Sequence, residues 1–341
     1  MVKDRAKDEY HPLVTLVIVN YNGRQWLEPC IGSIMKLRYK SYEVILVDNA
    51  SSDLSVHYVE EHFPWIRIVK NKRNFGYAEG CNIGARCARG DIIAFLNQDI
   101  KVDPYWLSHL VSTLKQSNVG ACCGKLFDYD GERILFTMES DLPYPSKCQE
   151  IRMVYGAAFA TRKDIIEKIG LFDPKFFMYY EEIDWSWRLR LAGYKCLYVP
   201  DAIAYHWVGG SSTVIERIVY LNYRNRIRTL IKNCEVRTLF SFVPLIILEG
   251  AACFLPLFYN HVTDLWSSGS LNRWAKTLIL IKGYLGGTAW NIINIRDTIR
   301  ERAKIQGLRV ISDKRLKAKE QDFFYVRILR RDASLNISMG A

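Results

Sequence analysis

The sequence predicts an α/β protein built on a mostly parallel sheet with helices on both faces, followed by a helical C-terminal region. Three observations carry that expectation. Apolar runs of strand length alternate with stretches of helical periodicity through the first part of the chain. Asn and Asp stand where successive runs stop, which is where open α/β sheets bind their ligands. With 341 residues, 49% hydrophobic and 24% charged, the chain has material for a full core and a second unit.

In order, residues 13–20 (Leu-Val-Thr-Leu-Val-Ile-Val-Asn) are β-branched and apolar and form a buried first strand that stops in the turn Asn20-Tyr21-Asn22-Gly23. Trp26, Leu27, Cys30, Ile31, Ile34 and Leu37 have helical spacing, and residues 42–47 are a second strand ending at Asp48. A helix over 55–63, a short strand over 66–69 and a helix opened by 74–82 and reaching Arg89 follow. Residues 92–96 are apolar and too few for a stable helix, so they read as a buried parallel strand halting at Asn97-Gln98-Asp99. Next come a helix over 107–116, a strand over 119–127, a polar Pro-bearing loop over 128–149, a small-residue strand over 154–161 and a turn at Gly170 to Pro174. An aromatic run leads into Glu181, Glu182 and Asp184, at the start of a helix ending near Ala192, where acids suit the helix dipole. Trp185, Leu189 and Ala192 are its inward positions, and residues 196–200 are a further strand.

Three strand ends thus deliver Asn20 to Asn22, Asp48 and Asp99 to one sheet edge. Alone, Asn97 and Asp99 read as a turn; together the three ends describe a polar crevice. For a nucleotide-sugar ligand, Asp48 would accept the imide N–H of a pyrimidine, Tyr21 would stack on that ring, and Asp99 would bind a cation that neutralises a diphosphate.

Four fragments, Val-Ile-Val-Asn-Tyr-Asn at 17–22, Val-Asp-Asn-Ala-Ser-Ser-Asp at 47–53, Asn-Phe-Gly-Tyr-Ala at 74–78 and Phe-Leu-Asn-Gln-Asp at 95–99, resemble in this order the family-2 glycosyltransferases of GT-A fold. The nearest resemblance is to rhamnosyltransferase-like members that build surface polysaccharides. It implies a nucleotide-diphosphate sugar donor of dTDP, UDP or GDP type, a divalent metal (Mn²⁺ or Mg²⁺) and an inverting transfer. On this resemblance Val19, Tyr21, Asp48, Asn74, Asn97 and Gln98 are donor-binding candidates, and Asn97-Gln98-Asp99 matches the metal motif in a variant with one carboxylate. Residues 176–194 are similar to the family's Glu-Asp motif: Glu182 falls where the family has its Asp base, Glu181 precedes it, and Asp184, Arg188 and Arg190 follow. Glu182 is the expected base, with Asp184 as the alternative. His206, followed by Gly209, Gly210 and Ser211, matches the position of a metal-ligating His with Gly and Ser lining the phosphates, and a nitrogen ligand favours Mn²⁺. Helix capping by the acids and a structural histidine are the plain alternatives.

Charge and the remaining chain bear on partners. Lys and Arg number 47 against 36 Asp and Glu, a net +11, which suits a polyanion: a nucleic acid, an anionic membrane face or a phosphorylated substrate. The nine cysteines include no C-x-x-C pair and read as reduced core thiols, and residues 1–11 lack the apolar segment of a secretory signal. Residues 215–234 form an amphipathic helix carrying Arg217, Arg224, Arg226, Arg228 and Lys232. Residues 239–259 are apolar but contain Pro244, Glu249 and Pro256; residues 274–293 are interrupted by Lys276, Lys282 and Gly283, with Trp274 and Trp290 near the ends; residues 296–331 are basic. This pattern reads as an interfacial membrane-binding region, with one transmembrane span over 239–259 as the runner-up and packing on the catalytic domain or a second subunit as the third reading.

The expected organisation is a catalytic domain at 11–212, with a donor half at 11–103 and an acceptor half at 104–212, and C-terminal helices with a basic tail at 213–341. The expected setting is the cytoplasmic membrane face, peripheral or monotopic, with a glycan or polyprenyl-linked acceptor; oligomerisation is left open. A sugar nucleotidyltransferase is the first rival, but Arg24 is the sole cation near the first turn where such enzymes carry a basic phosphate loop. A nucleic-acid-binding protein is disfavoured by the absence of RNP, zinc-finger or helix-turn-helix signatures, and a dinucleotide oxidoreductase by the absence of G-x-G-x-x-G after the first strand.

Overall fold

The structure is a computed structural model that describes residues 11–135, 146–207, 214–254 and 273–318. Packing divides the chain into two units, one of residues 1–177, 181–189 and 194–210, the other of residues 178–180, 190–193 and 211–341.

In the first unit, β1 (Val14–Asn20) is buried along its whole length, as its β-branched run requires. It is followed by α1 (Arg24–Met35), β2 (Tyr42–Asp48), α2 (Ser55–His62), β3 (Arg67–Lys70), α3 (Gly76–Cys87) and β4 (Ile92–Asn97). β1 pairs in parallel with β2 and with β4, and the registers Asn20↔Asp48 and Val19↔Asn97 set three polar strand ends side by side. Next come β5 (Ile100–Val102), α4 (Trp106–Leu114), β6 (Val119–Asp128), β7 (Gln149–Ile151), β8 (Ala158–Arg162), α5 (Lys163–Ile169), α6 (Glu181–Leu191) and β9 (Lys195–His206).

The nine-stranded sheet has the order β3-β2-β1-β4-β8-β6-β9-β5, with β7 on β9. It is parallel from β3 to β4 and mixed beyond, because β8 runs antiparallel to both β4 and β6. Strands β5 and β7 have three residues each, too few for a periodic signal in sequence.

β9 is the informative difference. The sequence suggests a strand stopping at Pro200, since proline cannot donate to a ladder. The strand instead continues to His206, because its register with β6 jumps from Gly124↔Val199 to Lys125↔Ile203 and the bulge takes Pro200, Asp201 and Ala202 out of the pairing. A Cβ on Gly124 would overlap the Ala202 carbonyl, so the bulge needs glycine opposite it. Beneath the sheet Phe95, Phe159, Phe172 and Trp185 pack ring on ring, with centroids 5.0 Å apart for Phe95–Phe159 and 6.1 Å for Phe172–Trp185. Trp185 and Leu189 are buried as their spacing predicts, while Ala192 is half-buried.

The second unit contains α7 (Ile215–Asn233), α8 (Val236–Phe254), α9 (Arg273–Ile293), α10 (Ile295–Gly307) and α11 (Asp313–Ala318). Arg224, Arg226, Arg228 and Lys232 of α7 are buried. Arg226 makes a two-pronged pair with Glu249 of α8, and Arg228 donates to Asp297 at 2.9 Å and to Thr298 at 2.7 Å. These cations are therefore spent inside the helical unit, whereas Arg217 is exposed. Among the described residues no helix is long and apolar enough to cross a membrane, so the single span over 239–259 is not seen in its described part. Glu249 is neutralised by a helix partner there, and residues 255–259 lie outside the described residues. Seven of the nine cysteines are buried.

Candidate active site

The donor side is built from the ends of β1, β2 and β4. Asn20 donates to Asp48 Oδ1 at 2.8 Å and to Ser55 Oγ at 2.9 Å, while Ser51 N–H donates to Asp48 Oδ2 at 3.0 Å. Asp48 is 3% exposed, so its carboxylate braces this turn as well as facing the strand ends. The Gln98 side chain clamps the Tyr21 backbone, accepting from Tyr21 N–H at 2.7 Å and donating to Tyr21 O at 3.3 Å, which leaves the Tyr21 ring half exposed. Val19 is buried against Gly80, and Asn74 Oδ1 accepts Gly76 N–H at 2.8 Å at the start of α3.

Asp99 and His206 meet. The antiparallel pairing of β5 with β9 sets Ile100 opposite His206, and Trp207 N–H donates to Asp99 O at 3.2 Å. His206 Nε2 then lies 3.3 Å from Asp99 Oδ1 and 3.3 Å from Asn97 Nδ2. Two neighbouring ligands of one octahedral cation, each about 2.1 Å from it, stand about 3 Å apart, so this carboxylate and imidazole fit a shared divalent ion. Among the described residues no third His, Cys, Asp or Glu completes a metal cluster with them, so substrate oxygens or water would fill the remaining positions.

The acidic segment divides its tasks. Asp184 is wholly buried and accepts from Arg188 Nε at 3.0 Å, while Arg188 also donates to Ile169 O at 2.7 Å and Leu171 O at 2.8 Å. Arg188, held by that ion pair, ties α6 to the turn that follows Ile169. Glu182 is half-buried, with its Cδ 3.4 Å from where a Cβ on Gly156 would stand. The next residue, Ala157, accepts Asn97 N–H at 2.9 Å, and Tyr77 Oη donates to Gly156 O at 2.6 Å. Glu182 thus stands beside Gly156, whose neighbour Ala157 is bonded to the end of β4. Glu181 is 5% exposed, and its Oε2 has no hydrogen-bond partner among the described residues. Burial, reinforced by the Glu182 carboxylate, pushes the Glu181 carboxyl well above the ordinary range, so this side chain favours its neutral form.

The structure gathers Tyr21, Asp48, Asn97, Gln98, Asp99 and His206 at one sheet edge and sets Glu182 beside Gly156; Val19, Asn74, Asp184 and Arg188 lie in supporting positions. Gly209, Gly210 and Ser211 lie outside the described residues. Several participants are not among the candidate residues, although Asn49 and Ser51 lie inside the 47–53 fragment. Ser51 and Ser55 satisfy the Asp48 turn, and Asn49 donates to Gly76 O at 3.0 Å while accepting from Asn71 at 2.9 Å. Trp26, Tyr129 and Trp207 form an aromatic group next to His206, with centroids 4.8 Å apart for the two tryptophans. The serine and asparagine richness after β2 was a legible signal, whereas nothing in sequence joins Trp26 to Trp207.

Comparison with known proteins adds the following. The family model described as Glycosyl transferase family 2 matches residues 15–185. An uncharacterized glycosyltransferase of Haemophilus influenzae is 31% identical over 110 residues, which are 31% of this chain and 34% of that protein, so the match spans about a third of that relative. The low-salt glycan biosynthesis hexosyltransferase Agl10 of Haloferax volcanii is 25% identical over 232 residues, covering 62% of this chain and 74% of that protein. Among solved structures, the mannosyltransferase PcManGT of Pyrobaculum calidifontis, in complex with GDP-Man and Mn²⁺, superposes with a TM-score of 0.54 at 19% identity over 88% of this chain and 86% of that one. The last likeness is one of fold, and it is a GT-A-type fold.

Proposed function

The chain belongs to glycosyl transferase family 2, and from that premise we propose that it moves a sugar from a nucleotide-diphosphate donor to a hydroxyl of a lipid-linked or growing glycan, with inversion at the anomeric carbon. The observation that carries this reading is the meeting of Asp99 and His206, 3.3 Å apart, at the strand ends that also carry the Asn20–Asp48 turn. Asp99 and His206 would hold the divalent ion, and the imidazole favours Mn²⁺ over an all-oxygen Mg²⁺ site. Once bound, that ion supplies positive charge against the departing diphosphate. Tyr21 stacks on the base, the Asp48 turn and Asn97 line the donor, and Gln98 fixes the Tyr21 backbone.

Glu182 takes the acceptor proton as the new bond to C1 forms and the bond from C1 to the diphosphate oxygen breaks. The buried ion pair to Arg188 leaves Asp184 a structural task, so Glu182 is the better base. A neutral Glu181 spares the site a second negative charge beside Glu182. Hexosyl donors are supported by the name of Agl10 and by the GDP-Man bound in PcManGT, and rhamnosyl nucleotides belong in the same panel.

The second unit works at the cytoplasmic membrane face in this proposal. Phe240, Ile247 and Leu248 of α8 and Trp274 and Ile292 of α9 are exposed, each by more than half, which suits shallow insertion without crossing. One experiment tests the transfer: UDP, dTDP and GDP sugars are supplied with and without Mn²⁺, and the nucleotide released is identified. NDP release that requires metal and falls at least a hundredfold in Glu182→Gln supports the reading. Release of pyrophosphate from a nucleoside triphosphate and a sugar phosphate, or a Glu182→Gln rate near wild type, sinks it.

A further inference from the structure

The backbone leaves its ordinary conformations directly ahead of α6. Phe177 has φ 66° and ψ −64°, Tyr179 has φ 68° and Tyr180 has φ 70°. None is glycine, and a side chain at positive φ crowds its own backbone, most severely when it is bulky. Three such residues within four, immediately before Glu181 and Glu182, persist only if the surroundings over-determine them.

The surroundings do so from both ends. Phe177 O accepts Ala78 N–H at 3.1 Å. Asn225 of α7, wholly buried, donates Nδ2 to Met178 O at 3.0 Å and to Tyr179 O at 2.7 Å. Its Oδ1 accepts from Arg224 Nε at 2.8 Å, which fixes the end of the amide that faces the two carbonyls. Both amide hydrogens are thus used on consecutive carbonyls of the left-handed turn. A leucine is of similar shape but has no N–H to hold that turn.

We propose that Asn225 is a positioning residue for the catalytic base: it locks Met178–Tyr180 in the left-handed turn from which α6 starts, and so sets where the Glu182 carboxylate stands. This rests on Glu182 being the base. The turn costs conformational energy; its product is the origin and direction of the helix that carries the acid. In sequence Asn225 is hidden between Arg224 and Arg226, where it reads as one more polar position of an amphipathic helix.

The test compares full-length wild type, Asn225→Ala, Asn225→Asp and Glu182→Gln, each checked for folding by circular dichroism and thermal melting. Asn225→Asp keeps the shape and the Arg224 contact but has no N–H to offer. A displacement of the base by about an ångström predicts a loss in kcat of about a hundredfold in both Asn225 variants, with donor KM and NDP affinity unchanged. A second readout follows the strain: in a Tyr179→Gly/Tyr180→Gly background, where positive φ carries no penalty, Asn225→Asp should cost at least tenfold less than in wild type. If Asn225→Ala does not fold, Asn225→Asp and this cycle decide. Activity of folded Asn225→Asp within threefold of wild type, a loss confined to donor KM, or an equal loss in both backgrounds overturns the positioning role. Glu182→Gln at wild-type rate would instead overturn the base assignment, so the two failures are distinguishable.

Discussion

Replacing Gly76 by alanine drives a methyl group into the carbonyl of Phe177. Gly76 opens α3 at φ 84°, and a Cβ built there overlaps both atoms of that carbonyl and the edge of the Phe177 ring. The carbonyl cannot retreat easily, because it accepts Ala78 N–H at 3.1 Å and belongs to a residue already at φ 66°. Gly76 itself is held by Asn74 through its N–H at 2.8 Å and by Asn49 through its O at 3.0 Å. A left-handed alanine costs about 1–2 kcal/mol, and forcing the methyl into packed backbone costs about 1–3 kcal/mol more. The total of about 2–5 kcal/mol lowers Tm by roughly 4–20 °C in a unit of this size. Thermal melting followed by circular dichroism reads it directly. Gly32→Ala is the control: nothing lies within 4 Å of its added methyl in the last turn of α1, and the change should stabilise by about 0.4–1 kcal/mol. If Gly76→Ala melted within about 2 °C of wild type, a shift worth under 1 kcal/mol, the contact between the start of α3 and Phe177 would be refuted, along with the reason the Asn-Phe-Gly-Tyr-Ala fragment requires its glycine.

Asp99→Ala and His206→Ala should each weaken Mn²⁺ binding, measured by water-proton relaxation with NDP present, by at least about tenfold; unchanged affinity in both would remove the metal from this pair. Glu181 gives a pH signature whose sign follows from its raised pKa: the folded chain keeps a proton that the unfolded chain releases near pH 4.5, so the stability tied to that proton is complete below this pH and is lost as pH rises through the folded value. Glu181→Gln should therefore flatten the fall of the urea midpoint above pH 5 and raise it at pH 8; a parallel fall in the variant would refute Glu181 as the source of the trend, since Tyr77 and Cys81, both raised by burial, keep their protons across this range. In the helical unit, Glu249→Gln strands the buried Arg226 and should cost about 3–5 kcal/mol, whereas Arg226→Met with Glu249→Leu should come within about 1 kcal/mol of wild type. Equal denaturation midpoints for the single and double variants would contradict the buried pairing.

The sequence alone determined the alternation of strands and helices up to β4, the strand-end placement of Asn20, Asp48 and Asp99, and the family resemblance. Those features are local: a β-branched run, a helical period and a polar stop each lie within a dozen residues, and parallel pairing of successive strands follows from the connections between them. What only the tertiary structure decided depends on contacts between distant residues. His206 reaches Asp99 because a bulge carries β9 past Pro200 and a three-residue strand pairs with its end. Asp184 and Glu182 are both acids in the first turn of one helix, yet Asp184 faces Arg188 inside and Glu182 faces Gly156. The cations of α7 have the spacing of a solvated basic face, but Arg226 finds Glu249 and Arg228 finds Asp297 on other helices. A charge buried with a partner and a charge left in water are the same letter at the same period, and only the fold shows which side the partner is on.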